Sequence, residues 1–420
     1  MRVLLVAYGS RGDVEPMLAL GAALRACGVQ VQVCAPPEFV EPREGGGTPV
    51  VAFGQSLRAM AADVVTRTAG DRQAQGLSGC VAGMVAATYD SVAVATAMDG
   101  CDVVVAAGPI PVAAAARAVA EKLGVPYVFA TYSPAHLPWP RHRPLAWPGW
   151  PLPPEATDDR VLWDLNGERV NALFGEGINT QRAAIGLPPV DDVRDHVLTG
   201  RPLLAADATL SPGPRPAGLD VVQTGAWIRP DNRPLPTDVD AFLKAGTPPV
   251  YVDFGTMPAR DGDARGTARA AVQAIRAQGR RVVIGRGWPD LAVTDGQGDC
   301  FAVDEANLQA LFTRSAVVVH QGDAGTTTTA ALAGVPQVVV PQTADQAYWA
   351  SRVADLGIGA AHDGPRLTYA SLSVALRTVL NPGTRARADA MAVAIRTDGA
   401  TVAGRLLREM VGRGRPLVAA

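Results

Sequence analysis

The sequence is poor in lysine and cysteine, and its charge is nearly balanced. Among its 420 residues only Lys122 and Lys244 are lysines, so arginine supplies almost all of the positive charge, and the formal net charge is −2. A chain without excess positive charge is a poor candidate for non-specific nucleic-acid binding. The cysteines form no C-x-x-C pair, which argues against a zinc site or a disulfide framework and favours a reducing compartment. They are Cys27, Cys34, Cys80, Cys101 and Cys300.

Several catalytic signatures are absent as well. The five histidines form no metal-ligand pair, and neither a P-loop lysine motif nor a G-x-S-x-G elbow occurs. Asp238-x-Asp240 resembles the metal-binding pair of another transferase class, but it stands at the start of a predicted helix and not at a strand end. We therefore expect neither a bound metal nor a cofactor.

No stretch reaches the roughly 18 apolar residues of a membrane helix. The first apolar run, Val3–Ala7, is shorter than the core of a signal peptide, and a turn follows it at once. We therefore expect a cytoplasmic protein that has no membrane partner.

What the sequence does contain is a strand-helix alternation, which occurs twice. Hydrophobic residues make up 48% of the chain, and a chain of this length is expected to hold two or three globular domains. Alternating strands and helices indicate a parallel sheet covered by helices on both faces. The predicted strands are Val3–Ala7, Val31–Cys34, Asp102–Ala107, Tyr127–Ala130, Val250–Phe254, Arg281–Ile284, Ala316–His320 and Gln337–Val340. The predicted helices are Val14–Cys27, Val112–Leu123, Arg160–Ile185, Ala264–Ala277, Gly325–Leu332 and Gln346–Leu356.

Two proline-rich stretches interrupt the alternation. Residues 138–154 are dense in proline and tryptophan and exclude regular helix or central strand, while residues 211–236 lack periodicity and are typical of a linker. The fold class is therefore α/β, with two doubly wound Rossmann-like domains facing a central cleft, where ligands bind at the carboxyl ends of strands. We expect domains at 1–210 and 237–400, a linker at 211–236, and a final helix within 401–420.

The most distinctive motif is VVVHQGDAGTTTT at Val317–Thr329. A buried strand ends at His320, and Gly322 and Gly325 allow a ligand to approach the backbone where a helix begins. The N–H groups of such a helix start can hold a phosphate, to which His320 could also donate a hydrogen bond. The alternative is a plain strand-turn-helix with Asp323 as the N-cap. The pattern alone leaves both open.

Two other strand ends carry acidic groups. Asp13 follows the glycine turn after the first strand, where it could act as a general base or simply cap the next helix. Asp345 and Gln346 follow a later strand, where a carboxylate and an amide suit the recognition of sugar hydroxyls, or where Asp345 caps a helix. Taken alone, each pattern favours the capping role.

Four of the seven tryptophans lie close together in the sequence. An irregular aromatic segment can form a flat apolar platform for an acceptor, or it can be a satellite core pinned by the prolines. Both interpretations remain open at this stage. The four are Trp139, Trp147, Trp150 and Trp163.

With these motifs in this order, the sequence resembles glycosyltransferase family 1 with its GT-B fold. Within that family it is similar to the enzymes that glycosylate vancomycin-type glycopeptide aglycones, and the resemblance runs nearly end to end. The segments that carry it include MRVLLVAYGSRGDVEPMLAL, IGLPPVDDV, QTGAWIRPDNRPLP, AIRAQGRRVVIGRGW, DEANLQALF and HQGDAGTTTTAALAGVPQVVVPQTADQAYWASRVADLGIG.

The resemblance implies an inverting transfer from a dTDP-sugar or UDP-sugar to a hydroxyl of a natural-product acceptor. The first domain would hold the acceptor and the second the donor. Asp13 would be the base, and backbone N–H groups with His320 would stabilise the leaving diphosphate without a metal. The implied diphosphate site comprises Ser10, Arg11, Gly12, Thr256, His320, Gly322, Ala324, Gly325 and Thr326. The implied nucleotide contacts are Arg286, Trp288, Asp304, Glu305 and Gln309. Asp345 and Gln346 would hold the sugar, and His136, Trp139 and Trp150 the acceptor.

The sequence departs from the family pattern at the phosphate motif. Members of the family usually have H-H-G-G-A-G-T or H-H-G-S-A-G-T, whereas this chain has Gln321 and Asp323 at the second and fourth positions. A carboxylate beside a diphosphate is repulsive unless it caps the helix and points away. The alternatives are a macrolide, polyketide or sterol transferase, a nucleotide-sugar epimerase or glycoside phosphorylase on the same fold, and a non-catalytic auxiliary protein.

Overall fold

The computed structural model describes most of the chain, and its contacts divide the chain into two compact units. Unit 1 contains Met1–Asp207, Gly213–Arg229 and Arg396–Ala420, and unit 2 contains Ala208–Pro212 and Pro230–Ile395. The domain limits expected from the sequence stay a prediction. The described residues are 1–40, 48–54, 56, 83–93, 100–139, 142–145, 151–198, 200–213, 219–255, 264–285, 297–342, 344–364 and 366–412.

Unit 1 is built on a parallel sheet in the order β3-β2-β1-β4-β5-β6-β7. The central strands are apolar, and β4 is buried throughout, as expected for a sheet covered on both faces. The strands are β1 Arg2–Ala7, β2 Gln30–Ala35, β3 Val50–Ala52, β4 Val103–Ala107, β5 Tyr127–Thr131, β6 Leu203–Leu204 and β7 Val222–Gln223. The helices are α1 Arg11–Ala26, residues 83–93, α2 Ile110–Leu123, α3 Asp159–Ala184, α4 Val193–Leu198 and α12 Gly399–Gly412.

Unit 2 has a six-stranded parallel sheet in the order β10-β9-β8-β11-β12-β13. Its strands are β8 Val250–Asp253, β9 Val282–Gly285, β10 Cys300–Val303, β11 Val317–His320, β12 Gln337–Val339 and β13 Gly359–Ala361. Its helices are α5 Thr237–Lys244, α6 Ala264–Arg276, α7 Leu308–Phe312, α8 Ala324–Leu332, α9 Ala344–Asp355, α10 Tyr369–Val379 and α11 Pro382–Ala394.

The strands and helices predicted from the sequence are present, with limits that shift by a few residues. The largest shift is at α1, which begins at Arg11 and not at Val14, so that Asp13 lies inside the helix. The stretch 211–236, in which the sequence shows no periodicity, nevertheless contains the short strand β7, which pairs with β6. Such two-residue strands carry too few side chains to produce a periodicity.

A network of charged side chains joins the helices of unit 1. Glu121 of α2 accepts hydrogen bonds from Arg117 at 2.9 Å and from Arg182 of α3 at 2.8 Å, and its Oε1 lies 3.1 Å from Nε2 of His196 in α4. Burial acts to raise the pKa of Glu121, but the hydrogen bonds of His196, Arg182 and Arg117 outweigh it and lower that pKa to about 2. Burial lowers the pKa of His196, against the opposing hydrogen bond to Glu121.

The last helix, α12, packs on α1 within unit 1. A Cβ at Gly404 of α12 would make ordinary van der Waals contact with Cδ2 of Leu24, at 3.4 Å, so the two helices lie directly against each other here. At the start of α12, Gly399 stands directly against the backbone of Gly225, where a Cβ would overlap main-chain atoms. The segment after unit 2 is therefore fixed to unit 1 by close backbone contact.

Candidate active site

Asp13 lies at the carboxyl edge of the first sheet, on the first turn of α1. Ser10 is the N-cap residue, and Asp13 Oδ2 accepts hydrogen bonds from the Ser10 backbone N at 2.7 Å and from Ser10 Oγ at 3.1 Å. This is the return half of a capping box, in which the third helical residue binds the N-cap backbone. Asp13 itself is thus not the N-cap residue that the alternative interpretation of the sequence required.

The backbone around Asp13 is shaped to receive its carboxylate. Gly9 has φ +149°, and a Cβ there would overlap the Asp13 carboxyl group. From the end of β5, Tyr132 Oη donates a hydrogen bond of 2.8 Å to the main-chain oxygen of Asp13. Burial, together with the charge of Asp13, raises the pKa of Tyr132 well above its ordinary value, so the phenol remains a donor. Tyr132 thus holds the backbone of Asp13, and Ser10 orients its carboxylate.

The predicted phosphate contacts Ser10, Arg11 and Gly12 lie in the same turn. Ser10 is used as the cap, and Arg11 is exposed, with its Nε 3.7 Å from Oε1 of Glu15. Glu15 also accepts a hydrogen bond of 3.0 Å from Arg229. In this structure Arg11 therefore belongs to a small ion-pair network along α1.

The predicted acceptor residues of unit 1 lie after β5. The exposed His136 has its Nδ1 2.9 Å from Oγ1 of Thr131, which holds the ring at the sheet edge. Trp139 is half-buried and lies edge-on to His142, which in turn lies edge-on to the buried Trp163. The Trp163 indole donates to the carbonyl oxygens of Trp139 and His142, both at 3.0 Å. For Trp163 this is the satellite-core arrangement.

His320 ends β11 and is fully buried. Its Nδ1 accepts a hydrogen bond of 3.1 Å from the Gly322 N–H, so Nε2 carries the proton and donates at 2.9 Å to Oε1 of Gln337. Burial lowers the pKa of His320, while the Asp323 charge and the Gln337 hydrogen bond oppose this. The imidazole is therefore neutral at pH 7, and both of its nitrogens bind groups of the chain.

Asp323 is the N-cap residue of α8. Its Oδ1 accepts from the Thr326 N–H at 2.8 Å, and its Oδ2 accepts from Nε2 of Gln321 at 3.0 Å. The Thr327 N–H binds the Asp323 carbonyl oxygen. Within the described part of the chain, no hydrogen bond takes the N–H of Ala324 or Gly325. Two of the first four N–H groups of the helix thus remain for a ligand.

The turn after β12 lies beside the phosphate motif. Gly322 has φ +97°, and a Cβ there would lie 3.2 Å from the carbonyl oxygen of Gln346. The Gln346 side chain accepts a hydrogen bond of 2.7 Å from the Gln342 N–H and is almost fully buried. Asp345, half-buried, stands in the first turn of α9. The structure therefore brings the predicted sugar and phosphate residues together at one sheet edge.

The predicted nucleotide residues Asp304 and Glu305 are exposed after β10. Glu305 Oε1 lies 3.3 Å from Arg233, and Gln309 accepts a hydrogen bond of 3.2 Å from the Asp231 N–H. Asn307, which lies between Glu305 and Gln309 in the chain, is buried and was not singled out from the sequence. Asn307 caps α7 and donates to the carbonyl oxygens of Asp231 and Arg233 at 2.8 and 2.7 Å. It fastens residues 231–233 to this edge, and the polar Asn within ANLQALF was the available signal.

Asp253 was also missed. It ends β8 directly beside His320, its register partner on β11. Its Oδ1 accepts from the Gly255 N–H at 2.8 Å, and its Oδ2 accepts from Tyr251 Oη at 3.0 Å. Burial raises its pKa, against the Gly255 and Tyr251 hydrogen bonds, and the charge of Asp323 adds to the increase. An acid that closes the apolar run VYV was the signal in the sequence.

Four predicted site residues lie outside the described residues: Thr256, Arg286, Trp288 and Trp150, as does Trp147 of the tryptophan cluster. Among the residues that are described, no group of three or more His, Cys, Asp or Glu side chains is arranged to hold a metal ion. In the same set, no helix combines the length and the hydropathy needed to span a bilayer.

Solved structures share this architecture. The crystal structure of the glycotransferase of kitacinnamycin superposes with a TM-score of 0.72 at 18% identity and covers 98% of this chain and 99% of its own. The glycosyltransferase VinC, solved in complex with dTDP, gives a TM-score of 0.66 at 23% identity over 99% of this chain and 100% of its own. These likenesses, with the two parallel sheets and their covering helices, confirm the GT-B fold.

Similarity in sequence defines the family. Residues 297–404 match the family model described as erythromycin biosynthesis protein CIII-like, C-terminal domain. Over the full length of both chains, identity is 48% with glycosyltransferase GtfE and 46% with vancomycin aglycone glucosyltransferase, both of Amycolatopsis orientalis. Identity with dTDP-epi-vancosaminyltransferase of the same organism is 46%, again over the whole of both chains. The chain therefore belongs to glycosyltransferase family 1, in the group of the vancomycin-type glycopeptide glycosyltransferases, and is itself a glycosyltransferase.

Proposed function

We propose that this enzyme transfers a sugar, with inversion and without a metal, from a dTDP-sugar or UDP-sugar to a hydroxyl of a glycopeptide antibiotic aglycone or of its glucosylated form. The observation that carries the proposal is the identity of 46–48%, over the full chain, with relatives whose names specify a vancomycin aglycone and an epi-vancosaminyl donor. The proposal does not specify the acceptor hydroxyl or the sugar, because relatives of nearly equal identity have names that specify different sugars. We place the reaction in the cytoplasm.

The residues of the sheet edges support this chemistry. Alcohols and phenols are weak nucleophiles while protonated, so Asp13, held by Ser10 in one orientation, would accept the hydroxyl proton as the acceptor oxygen attacks the anomeric carbon. The bond to the diphosphate breaks, and the N–H groups of Ala324 and Gly325 at the positive end of α8 would stabilise the negative charge that develops there. Asp345 and Gln346 would bind the sugar hydroxyls.

The decisive experiment is a donor panel against a vancomycin-type aglycone, with the products identified by mass spectrometry. The proposal expects one acceptor-sugar adduct together with stoichiometric nucleoside diphosphate. Consumption of the donor in the absence of acceptor would identify an epimerase or a hydrolase. Calorimetry with UDP and dTDP distinguishes an enzyme from a non-catalytic auxiliary protein. A protein that does not bind either nucleotide at millimolar concentration has no donor site.

We expect His320 to act as a positioning residue that orders the Gly322 turn. Asparagine places an acceptor oxygen near the position of Nδ1 and can keep the Gly322 hydrogen bond, whereas glutamine reaches the position of Nε2 and can keep only the Gln337 contact. His320→Gln should therefore weaken donor binding by about tenfold, the worth of one hydrogen bond, with acceptor KM unchanged.

His320→Asn is the matched variant and should bind the donor nearly as the wild type does. Equal losses in both variants, at unchanged melting temperature, would instead support direct contact of the imidazole with phosphate. Parallel loss of donor and acceptor affinity would indicate misfolding.

Asp345→Ala and Gln346→Ala are expected to lower turnover by at least about tenfold, because each removes a hydrogen bond to the transferring sugar. Affinity for free UDP or dTDP, measured by calorimetry, should stay within about twofold, since the nucleotide makes no predicted contact with either residue. The Gln346 oxygen also holds the Gln342 N–H. Gln346→Glu retains such an oxygen and serves as the control for loop structure; a loss of nucleotide affinity in both alanine variants would contradict the assignment.

A further inference from the structure

Two carboxylates stand at neighbouring strand ends in the proposed donor site. Asp253 ends β8, and Asp323 follows the adjacent strand β11 by three residues. Their mutual charge contributes to the raised pKa of Asp253. The two acids therefore stand at the same sheet edge, where a diphosphate is expected to bind.

Asp253 is enclosed on three sides. Its oxygens accept from the Gly255 N–H and from Tyr251 Oη, and a Cβ at Gly285, at the end of β9, would lie 2.7 Å from the Asp253 carboxyl carbon. The Gly285 position has no side chain, so β9 presents no countercharge at this point. Asp253 is therefore half-buried, and the hydrogen-bond donors that the described residues offer it are neutral.

The adjacent turn is connected to Asp253 through Gln321. The Gln321 amide donates to Asp323 Oδ2, and its Nε2 lies 2.9 Å from the position that a Cβ of Gly255 would take. Asp253 thus binds the N–H of Gly255, Asp323 binds the side chain of Gln321, and Gly255 and Gln321 lie next to each other.

Among the described residues, the titratable groups that face Asp253 do not compensate its charge. They are Tyr251 on its own strand, and His320 and Asp323 on the adjacent strand and turn; β9 contributes only Gly285. Tyr251 donates as a neutral phenol, and His320 is neutral because of its burial. No cation contacts Asp253 in the part of the chain that the structure describes. A bound diphosphate would add two further negative charges.

We propose that Asp253 is a positioning residue of the donor site and takes up one proton when the sugar nucleotide binds. The inference rests on the proposed donor site at Ala324 and Gly325. The proton comes from solvent and forms an O–H bond on one carboxyl oxygen; no other bond changes. The neutral acid still accepts from the Gly255 N–H, and its new O–H can donate to Tyr251 Oη. Binding thereby removes one negative charge from a site to which it adds two.

Calorimetry of UDP-glucose and dTDP-glucose in buffers of different ionisation enthalpy tests the proposal. These diphosphate diesters are the appropriate probes, because the terminal phosphate of a free nucleotide itself titrates near pH ~6. The wild type should take up a measurable fraction of one proton at about pH 7, and its affinity should fall by up to about tenfold per pH unit on the alkaline side. Binding without any proton uptake would contradict the inference and leave the proposed function intact.

Two variants separate Asp253 from its neighbours. Asp253→Asn should abolish proton uptake, and Asp323→Asn should reduce it by removing the neighbouring charge; asparagine caps α8 as well as aspartate does. Both should flatten the dependence of affinity on pH without a change in melting temperature. Asp363→Asn, an exposed acid after β13 at the same sheet edge, should retain wild-type uptake.

The remaining outcomes are equally decisive. Uptake that persists in Asp253→Asn would overturn the proposal, and its loss in His320→Asn alone would assign the proton to the imidazole. The wild-type chain could bind neither UDP-glucose nor dTDP-glucose and yet form a glycosylated product from another donor. Calorimetry would then use that donor, with the same criteria for proton uptake. Failure of every donor to bind would contradict the proposed function itself.

Discussion

Asp13→Asn is expected to lower turnover by about 10²–10⁴-fold, the usual contribution of a positioned general base. The amide oxygen can still accept the Ser10 N–H, so the capping box survives. Melting temperature and donor affinity should therefore change little. Steady-state kinetics at saturating donor and acceptor, together with thermal melting, provide the measurement.

Asp13→Ala distinguishes catalysis from capping. It removes both functions, so it should lose activity as the asparagine variant does and, in addition, about 1 kcal/mol of stability from the broken cap. If the carboxylate only capped the helix, Asp13→Asn would turn over nearly as the wild type does, and Asp13→Ala would be active at low temperature. That pattern would end the assignment of Asp13 as base.

The second large effect is on stability. Glu121→Gln should destabilise unit 1 by about 2–3 kcal/mol, because the guanidinium of Arg182, which is 4% exposed, would lose its counter-ion. The partial exposure of Glu121 keeps the expected loss below that of a fully buried pair. Asp220→Asn, which breaks the exposed ion pair with Arg201, should cost less than about 1 kcal/mol and is the matched control.

The same residue predicts the response to acid. The folded-state pKa of Glu121 is about 2, below its ordinary value of 4.5. Its contribution to stability is therefore fully present above about pH 4.5 and is lost as the pH falls toward 2. Denaturant melts of wild type and Glu121→Gln across this range should converge at low pH. A constant difference between the two would show that another group controls the acid sensitivity.

The sequence predicted the layered α/β fold because buried strands and amphipathic helices leave periodic signals. It also offered a cap at Asp323 as one of two interpretations, since the acid directly precedes a helical run, and the structure has this cap. The sequence did not predict the hydrogen-bond partners of individual side chains. His320 was expected to donate to phosphate, yet its tautomer is set by Gly322 and by Gln337, which lies on another strand. Contacts between strands depend on register, which periodicity does not specify.

Asp253 is a second residue whose contacts the sequence did not predict. Its position after an apolar strand was visible, but its significance depends on Asp323, 70 residues later, and on the absence of a side chain at Gly285. Asn307 is similar, because its partners Asp231 and Arg233 lie in a stretch that carries little periodicity. Where a site is made by residues distant in the chain, the sequence predicts its location better than its bonding.

The discontinuity of unit 1 has a consequence for biosynthesis. The chain leaves this unit after Arg229 and returns only at Arg396, yet α12 packs on α1. During translation, therefore, the face of α1 that carries Leu24 stays uncovered until all of Pro230–Ile395 and then α12 have been synthesised. The second unit has every one of its segments available before the first does. We expect nascent chains stalled before Gly399 to expose this apolar face and to be the species that chaperones bind.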